Sequence, residues 1–409
     1  MVKVLRSFVR GPLAPYVPRF AAELLEQGYT ENSAAQHVCF IAHLDRWLLA
    51  EGLGVADLCE STIERYLSER RTAGYVEFLT AKALRPLLEF LAPLGVLPPG
   101  PPVRLDPVEE LLCRYRDYLL TERGLTPATV VGYVHVARPF LASRLRGERL
   151  DLAGLTAAEV LGFVLASCPG RATGTAKLIV TVTRSLLEWL HLTGLVEVSL
   201  ATSVPAVAGW RLAGLPQVLT PMQLRALLAS CDRRTATGRR DYAIVLLLVR
   251  LGLRAGEVAR LGLDDIDWHA GELRVVGKGN RGESLPLPAD VGAAITAYLC
   301  RGRPGSARGR SVFVRVHAPH RALTAGGVGS VVGAAGRRVG LGHVHAHQLR
   351  HSAATAMLRA GSPLAEVGQV LRHRSAFNTA IYAKVDKDAL VVLARPWPAP
   401  GNAAQGGAW

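Results

Sequence analysis

The first two hundred residues contain an internal repeat, which restricts the possible folds more than any other feature of the chain. Residues 12–98 and 107–200 resemble each other, and the matching segments include LLEQGYT (24–30) and LLTERGLT (119–126). A recurrence of this kind indicates one structural unit present twice, although helical patterning alone could also produce it. Either way, the pattern predicts a tandem helical arrangement in the first half of the chain.

Each copy follows the same helical pattern. A glycine ends a first helix and a threonine begins a second, with Gly28 before Thr30 and Gly124 before Thr126. Apolar residues then recur at helical spacing. Polar caps at Ser61-Thr62 and at Thr156 predict a third helix, and a Leu-Leu-Glu-aromatic-Leu pattern marks a fourth. We therefore expect four or five helices in each copy.

Proline-rich and glycine-rich segments separate the expected domains. PPGPPVRLDP (98–107) reads as a linker, because proline removes a backbone donor and favours extended chain. A second linker covers residues 201–216, and Thr220-Pro221 then fits the first two positions of a new helix. The predicted divisions are a helical unit (1–100), a second helical unit (101–205), a C-terminal domain (217–395) with strands at 273–276 and 283–288, and a flexible tail (396–409).

Length and composition exclude several classes of protein. At 409 residues the chain is too long for one ordinary hydrophobic core. The longest apolar run, AIVLLLV (243–249), ends at Arg250 and is shorter than the roughly 18 residues that a membrane span requires. The N-terminus has no secretory apolar region, and the six cysteines form no Cys-x-x-Cys pair. We expect free thiols, a cytoplasmic, nucleoid-associated location and no membrane partner.

The charge of the chain predicts a polyanionic partner. Lysine and arginine number 48 against 33 acidic residues, so the net charge is +15. Such an excess favours nucleic acid through contacts with phosphates. An arginine-rich coding bias is the alternative explanation.

Six residues downstream of position 250 have the side chains that are needed for the attack of a phenol on a phosphodiester. His347 and Arg350 are three positions apart, so on a helix they share a face. Guanidinium groups suit the non-bridging oxygens of a phosphate because they bind in a bidentate manner and keep their charge. The candidate catalytic residues are Arg254, Lys278, His347, Arg350, His373 and Tyr382.

These motifs resemble those of the tyrosine recombinase (phage integrase) family over about residues 217–393. The family pattern is Arg-x-x-Glu, a lysine on a β-hairpin, His-x-x-Arg, a histidine or tryptophan, and a nucleophilic tyrosine. This chain has LGLRAGEVARL, VVGKGNRG, HQLRHSAAT, LRHRS and NTAIYAK in that order. One departure is that the family usually has Leu-Gly-His where this chain has Leu371-Arg372-His373.

The resemblance implies a mainly α fold, with tandem SAM-like or core-binding helical units before a mixed α+β catalytic domain that holds a small antiparallel sheet. Residues 101–205 look like the family's core-binding, DNA-binding domain. Neither a metal nor another cofactor is implied.

Each catalytic residue has an expected role. Tyr382 would attack phosphorus to give a 3′-phosphotyrosine, and His347 is the expected proton acceptor. Lys278 would protonate the departing 5′ oxygen, and His373 would donate to the phosphate. Glu257 is expected to hold Arg254, or to be an ordinary ion-pair or capping residue.

Two other motifs are discounted. GKGNRG (277–282) matches a dinucleotide-binding pattern but leads into a strand, so no helix N-terminus would face a pyrophosphate. His343, His345 and His347, or His347 with His351, invite a metal site, but no carboxylate is near in the sequence.

The leading hypothesis is a site-specific recombinase that works on double-stranded DNA through a Holliday junction, as the integrase or transposase of a mobile element. By resemblance, a homotetramer on DNA is expected, with the apolar residues 390–393 exchanged between protomers. The N-terminal unit could bind DNA or serve assembly. A type IB topoisomerase, a hairpin-forming resolvase and a non-catalytic DNA-binding protein are the alternatives.

Overall fold

The structure is a computed structural model that describes residues 9–98, 106–208, 217–277 and 282–372, together with Thr379 and Tyr382. It is mainly helical with two small antiparallel sheets, which confirms the predicted fold class. Residues 106–208 form one compact unit, and residues 9–98 pack with the described residues from 217 onward in another. The expected domain boundaries remain a prediction.

Four helices make up residues 9–98: α1 (Val17–Glu26), α2 (Glu31–Ala50), α3 (Glu60–Thr72) and α4 (Ala81–Leu91). Their apolar faces enclose a core that includes Phe20, Leu24, Ile41, Leu48 and Leu87. Thr30 caps α2, since its hydroxyl accepts a hydrogen bond from the Ser33 N–H at 3.2 Å.

The predicted start of α3 was wrong by about two residues. The helix begins at Glu60 with Cys59 at the N-cap, rather than after Ser61-Thr62. The two hydroxyls lie 3.0 and 3.2 Å from the Cys59 thiol. The polar pair therefore occupies the first turn of the helix and does not precede it.

Residues 106–208 contain α5 (Pro107–Thr121), α6 (Pro127–Ser143), a hairpin of β1 (Leu145–Arg146) and β2 (Arg149–Leu150), α7 (Ala157–Ser167) and α8 (Thr173–Leu192). Thr126 and Thr156 cap α6 and α7, as their positions predict. Tyr115 is fully buried against Trp189, and its hydroxyl donates to Ser185 Oγ at 3.0 Å. The segments that resemble each other in sequence thus lie on helices in the same order in the two sets of four.

The C-terminal residues begin with α9 (Pro221–Ala229), α10 (Ala236–Leu251) and α11 (Ala255–Arg260). Three antiparallel strands follow in the order β3 (Ile266–Asp267), β4 (Glu272–Val276), β5 (Gly282–Pro286), with Leu273 opposite Leu285. Four more helices are α12 (Ala289–Arg301), α13 (Ala325–Arg338), α14 (Ala346–Arg359) and α15 (Leu364–Val370). The buried helix α10 contacts α12, α13 and α14, so it is the centre of this core.

The N-terminal helices contact a loop region of the C-terminal residues. Arg308 pairs with Glu26 at 2.5 Å, and Arg321 pairs with Glu89 at 2.5 Å. Residues 302–310 follow α12 as an arginine-rich loop, and its arginines make contacts. Arg303 donates to three backbone carbonyls of the same loop region.

No helix within the described ranges is long and apolar enough to cross a membrane.

Candidate active site

Helix α14 carries the His347–Arg350 pair, as the spacing predicts. Its start is closed by the Gln348 side chain, which accepts from the His345 N–H at 2.7 Å. Arg350 lies one turn further and is 2% exposed. Its guanidinium donates to the carbonyls of Gly252, at 2.5 Å, and of Leu371. Arg350 is thereby held by the end of α10 and by the end of α15.

Gly252 permits this arrangement. It ends α10 with a φ of +58°, a left-handed conformation that favours glycine. A Cβ atom there would lie 2.6 Å from Leu371 Cδ2. The close approach of Leu371 brings the turn after α15 against the turn before α11.

Arg254 begins α11 as its N-cap residue. Its backbone N–H donates to Glu257 Oε2 at 2.8 Å, and its Nη1 donates to Glu257 Oε1 at 2.7 Å. Its side chain is 41% exposed, whereas that of Glu257 is 1% exposed. Glu257 therefore holds Arg254 from inside while the guanidinium remains open to a ligand.

Glu257 stays ionised although it is buried. Burial raises the pKa of its carboxyl, but the Arg254 backbone hydrogen bond and the charges of Arg372 and Arg254 outweigh burial and leave the pKa below its ordinary value. The second cation, Arg372, donates from Nη2 to Glu257 Oε2 at 2.8 Å and is also buried. One carboxylate thus bridges two guanidiniums.

Tyr382 is 1% exposed, and its hydroxyl lies 2.8 Å from His351 Nδ1. Burial raises the pKa of Tyr382, and the charges of Arg350 and Arg254 lower it only in part. The pKa of His351 is lowered to about 4 by burial, then by His347 and Arg350. A neutral His351 therefore faces a protonated phenol at neutral pH, an arrangement in which the phenol can donate its proton toward the ring.

His347 stacks edge-on against His351, with ring centroids 4.1 Å apart. Partial burial and the charges of Arg350 and Arg254 lower its pKa. Arg350 itself has a pKa lowered to about 10, first by burial and then by Arg254, so it remains charged at neutral pH. The charges of both arginines act on His347, whereas the ring of His351 contacts Tyr382.

The structure thus brings five of the predicted residues into one region: Arg254, Glu257, His347, Arg350 and Tyr382. Lys278 and His373 lie outside the described residues. Sequence reasoning noted Arg372 only as a departure from the family pattern and considered His351 only as a metal ligand. Two features of the sequence could have indicated them. Arg372 replaces the glycine of the family's Leu-Gly-His, and His351 lies four positions after His347 on one helix.

The arrangement combines cations for a phosphate with a hydroxyl nucleophile and a neutral base. Arg254 and Arg350 can stabilise charge on non-bridging oxygens, and Tyr382 with His351 can supply an activated oxygen. Within the described ranges, no three histidine, cysteine or carboxylate side chains lie together as protein ligands of a metal ion.

Several known proteins are similar to this chain in sequence or in fold. A sequence model of the phage integrase family matches residues 217–389. A protein of Sinorhizobium fredii named as an integrase/recombinase, y4rA, is 42% identical over 393 residues, which cover 95% of each chain. The tyrosine recombinase XerD of Listeria monocytogenes is 28% identical over 68% of this chain and 95% of its own length. A structure of the XerH site-specific recombinase in a post-cleavage complex shares the fold, with a TM-score of 0.55 and 19% identity over 81% of this chain and 93% of that one.

Proposed function

The chain belongs to the phage integrase family of tyrosine recombinases, enzymes that cleave and rejoin DNA, and from this membership we propose that it is a site-specific recombinase acting through a 3′-phosphotyrosyl intermediate. The observation that carries the proposal is the grouping of Tyr382 and His351 beside two arginines whose charges act on the tyrosine. The net charge of +15 supports a DNA substrate.

The proposed reaction uses the side chains as follows. Tyr382 Oη forms a bond to phosphorus while the bond from phosphorus to the 5′ oxygen breaks. Arg254 and Arg350 stabilise the negative charge that grows on the non-bridging oxygens. Lys278 donates a proton to the 5′ oxygen and His373 donates a hydrogen bond to the phosphate, as the family pattern implies. Rejoining reverses these steps on a second strand.

The proposed proton acceptor for Tyr382 is His351 rather than His347, because His351 Nδ1 is the ring nitrogen at 2.8 Å from the hydroxyl. Its low pKa makes it a weak base in the absence of DNA. An entering phosphodiester brings a negative charge, which raises the pKa of a nearby imidazole. Proton transfer from the phenol then becomes more favourable when substrate is present. His347 is left to contact the phosphate beside the arginines.

The biological role that we propose is integration or transposition of a mobile element. Similarity to the integrase/recombinase y4rA along nearly the whole chain supports it, because the N-terminal helices are included in that match. A tetramer on DNA, with residues 390–393 docking on a neighbouring protomer, is part of the same proposal, and those residues lie outside the described part of the chain.

Covalent trapping tests the chemistry. The purified full-length protein is mixed with nicked duplexes that carry a randomised half-site, and products are separated on a denaturing gel. We expect a slowly migrating DNA–protein band that Tyr382→Phe abolishes, and sequencing of the trapped DNA would define the site. A band that persists in Tyr382→Phe would contradict the assigned nucleophile.

Two further outcomes separate the alternatives. Relaxation of a supercoiled plasmid that lacks the recovered site would favour a topoisomerase. Specific DNA binding without any covalent band, unaffected by Tyr382→Phe, would favour a non-catalytic DNA-binding protein.

A further inference from the structure

The turn after α15 places a bulky residue where backbone geometry favours glycine. Arg372 has a φ of +55°, and among the described residues only Phe78 shares a positive φ without being glycine. A left-handed conformation is strained for a side chain of this size. The strain persists only where surrounding contacts hold it, so the contacts of the Arg372 side chain need an explanation.

The contacts of the Arg372 side chain bury its guanidinium but do not give every N–H donor a partner among the described residues. The Arg372 side chain is 3% exposed. Nη2 donates to Glu257 at 2.8 Å, Nη1 donates to the Val370 carbonyl at 3.2 Å, and Nε has no hydrogen-bond partner within the described part of the chain. A buried guanidinium with an unpaired donor is unfavourable for folding, and an apolar residue or glycine would often be better. Stability alone does not account for Arg372.

The negative charge of Glu257 explains why a buried arginine at position 372 is useful. Glu257 is bound to Arg254 by two hydrogen bonds, and a carboxylate paired with one guanidinium cancels much of the charge that the guanidinium offers to a ligand. Arg372 places a second cation on the same carboxylate. With two guanidiniums on one carboxylate, Arg254 retains positive charge toward the open side of the site.

The backbone of Arg372 also helps to position the Arg254 side chain. Arg254 Nη2 donates to the Arg372 carbonyl at 3.4 Å, and the preceding carbonyl of Leu371 accepts from Arg350. The turn that Arg372 occupies therefore contacts both arginines of the site. Its side chain anchors that turn to Glu257 from the buried side.

We propose that Arg372 is a positioning residue for DNA cleavage, which balances the Glu257 carboxylate and thereby holds Arg254 charged and aligned for the scissile phosphate. The inference rests on the proposed function. It adds a residue at a position where the family pattern has glycine.

The test compares Arg372→Gly with Arg372→Lys, because glycine removes the charge and relieves the backbone strain, whereas lysine keeps a cation. Single-turnover cleavage of the recovered nicked duplex is measured at saturating DNA across pH 5 to 9, after melting curves show that both variants fold. We expect Arg372→Gly to slow cleavage on the order of 10- to 100-fold, with little change in the DNA concentration for half-maximal rate.

The pH profile separates this role from a merely structural one. Without Arg372, the Glu257 carboxyl takes up a proton at higher pH. A protonated Glu257 no longer holds Arg254 aligned through both oxygens, so the acidic limb of the rate moves to higher pH in Arg372→Gly. Arg372→Lys should restore most of the rate and the original limb. A folded Arg372→Gly protein that cleaves at the wild-type rate would overturn the proposal. Equal slowing of both variants with unchanged pH profiles would overturn it too.

A DNA-free measurement gives an independent check. Arg372→Gly and Glu257→Gln are combined in a double-mutant cycle, and unfolding is followed in urea. Because Glu257→Gln leaves Arg372 buried without a counter-ion, we expect it to destabilise the wild type more than it destabilises Arg372→Gly. Additive effects would overturn the proposal. A wild-type protein that traps no DNA would instead count against the proposed function.

Discussion

At the scale of single residues, the partial burial of His351 beside His347 and Arg350 has a measurable consequence for stability. The pKa of His351 is lowered to about 4 in the folded chain, against an ordinary value of about 6.5. Between pH 6.5 and 4, His351 binds a proton in the unfolded chain but stays neutral in the folded chain. The stability that is present above pH 6.5 is therefore lost as the pH falls toward 4. The loss should appear within the pH range from 6.5 to 4.

We therefore predict that His351→Asn flattens the pH dependence of unfolding, because the asparagine amide oxygen can accept from Tyr382 but does not titrate. Thermal midpoints of the two proteins are compared from pH 7.5 to 4.5. The wild type should lose more of its midpoint over this range than the variant. Two other histidines with lowered pKa values, His37 and His43, are present in both proteins and serve as the internal control. Parallel curves would contradict the assignment.

The sequence could predict which residues gather at the candidate site but not the contacts that they make there. His347 and His351 are four positions apart on α14, so both project from one face of the helix. Which of them meets Tyr382 depends on where a segment 31 residues further along the chain returns to this face. Similarly, the pairing of Arg372 with Glu257 joins residues 115 positions apart. Spacing along a helix carries no information about such contacts.

At the scale of elements, the sequence predicted several helix starts, but it did not indicate which helix end matters for the candidate site. Threonines at 30, 126, 156 and 220 predicted helix starts that the structure confirms, because a threonine hydroxyl satisfies a free N–H of the first turn. The start of α3 at Cys59 was missed, because the Cys59 side chain makes no capping hydrogen bond to the first turn. The turn at Gly252 was not predicted to matter, since its importance comes from contacts with Leu371 and Arg350.

We predict that Gly252→Ala damages both stability and cleavage. The left-handed φ costs about 1–2 kcal/mol for alanine. The Cβ would also lie 2.6 Å from Leu371 Cδ2, and crowding of this kind costs about 1–3 kcal/mol more. Because the Gly252 carbonyl accepts from Arg350, displacement of the turn should slow covalent trapping as well.

Gly271→Ala is the matched control for Gly252→Ala, since Gly271 has a φ of +66° and nothing within 4 Å of the added carbon. It should show only the backbone cost in urea unfolding and keep the wild-type trapping rate. Equal behaviour of the two variants would mean that the contact with Leu371 has no role.

At the scale of the whole molecule, the position of the N-terminal helices was beyond sequence reasoning. The repeat predicted a helical unit here but not its neighbours, and residues 9–98 contact the C-terminal residues through the end of α1 and through α4. Both ion pairs are exposed, so each contributes about 0–1 kcal/mol and is weakened by salt. Exposed ion pairs of this kind leave no periodicity or motif in the sequence.

Gly28→Ala should weaken this docking without unfolding the N-terminal helices. Gly28 has a φ of +89°, and an added Cβ would lie 2.4 Å from both His320 Cδ2 and Ser306 Oγ. Gly52→Ala is the control, because Gly52 has a φ of +66° and open space around it. By hydrogen–deuterium exchange, residues 304–321 should exchange faster in Gly28→Ala than in Gly52→Ala, and high salt should shift the wild type in the same direction. If Gly28→Ala leaves exchange in those residues unchanged, the N-terminal helices do not dock there in solution.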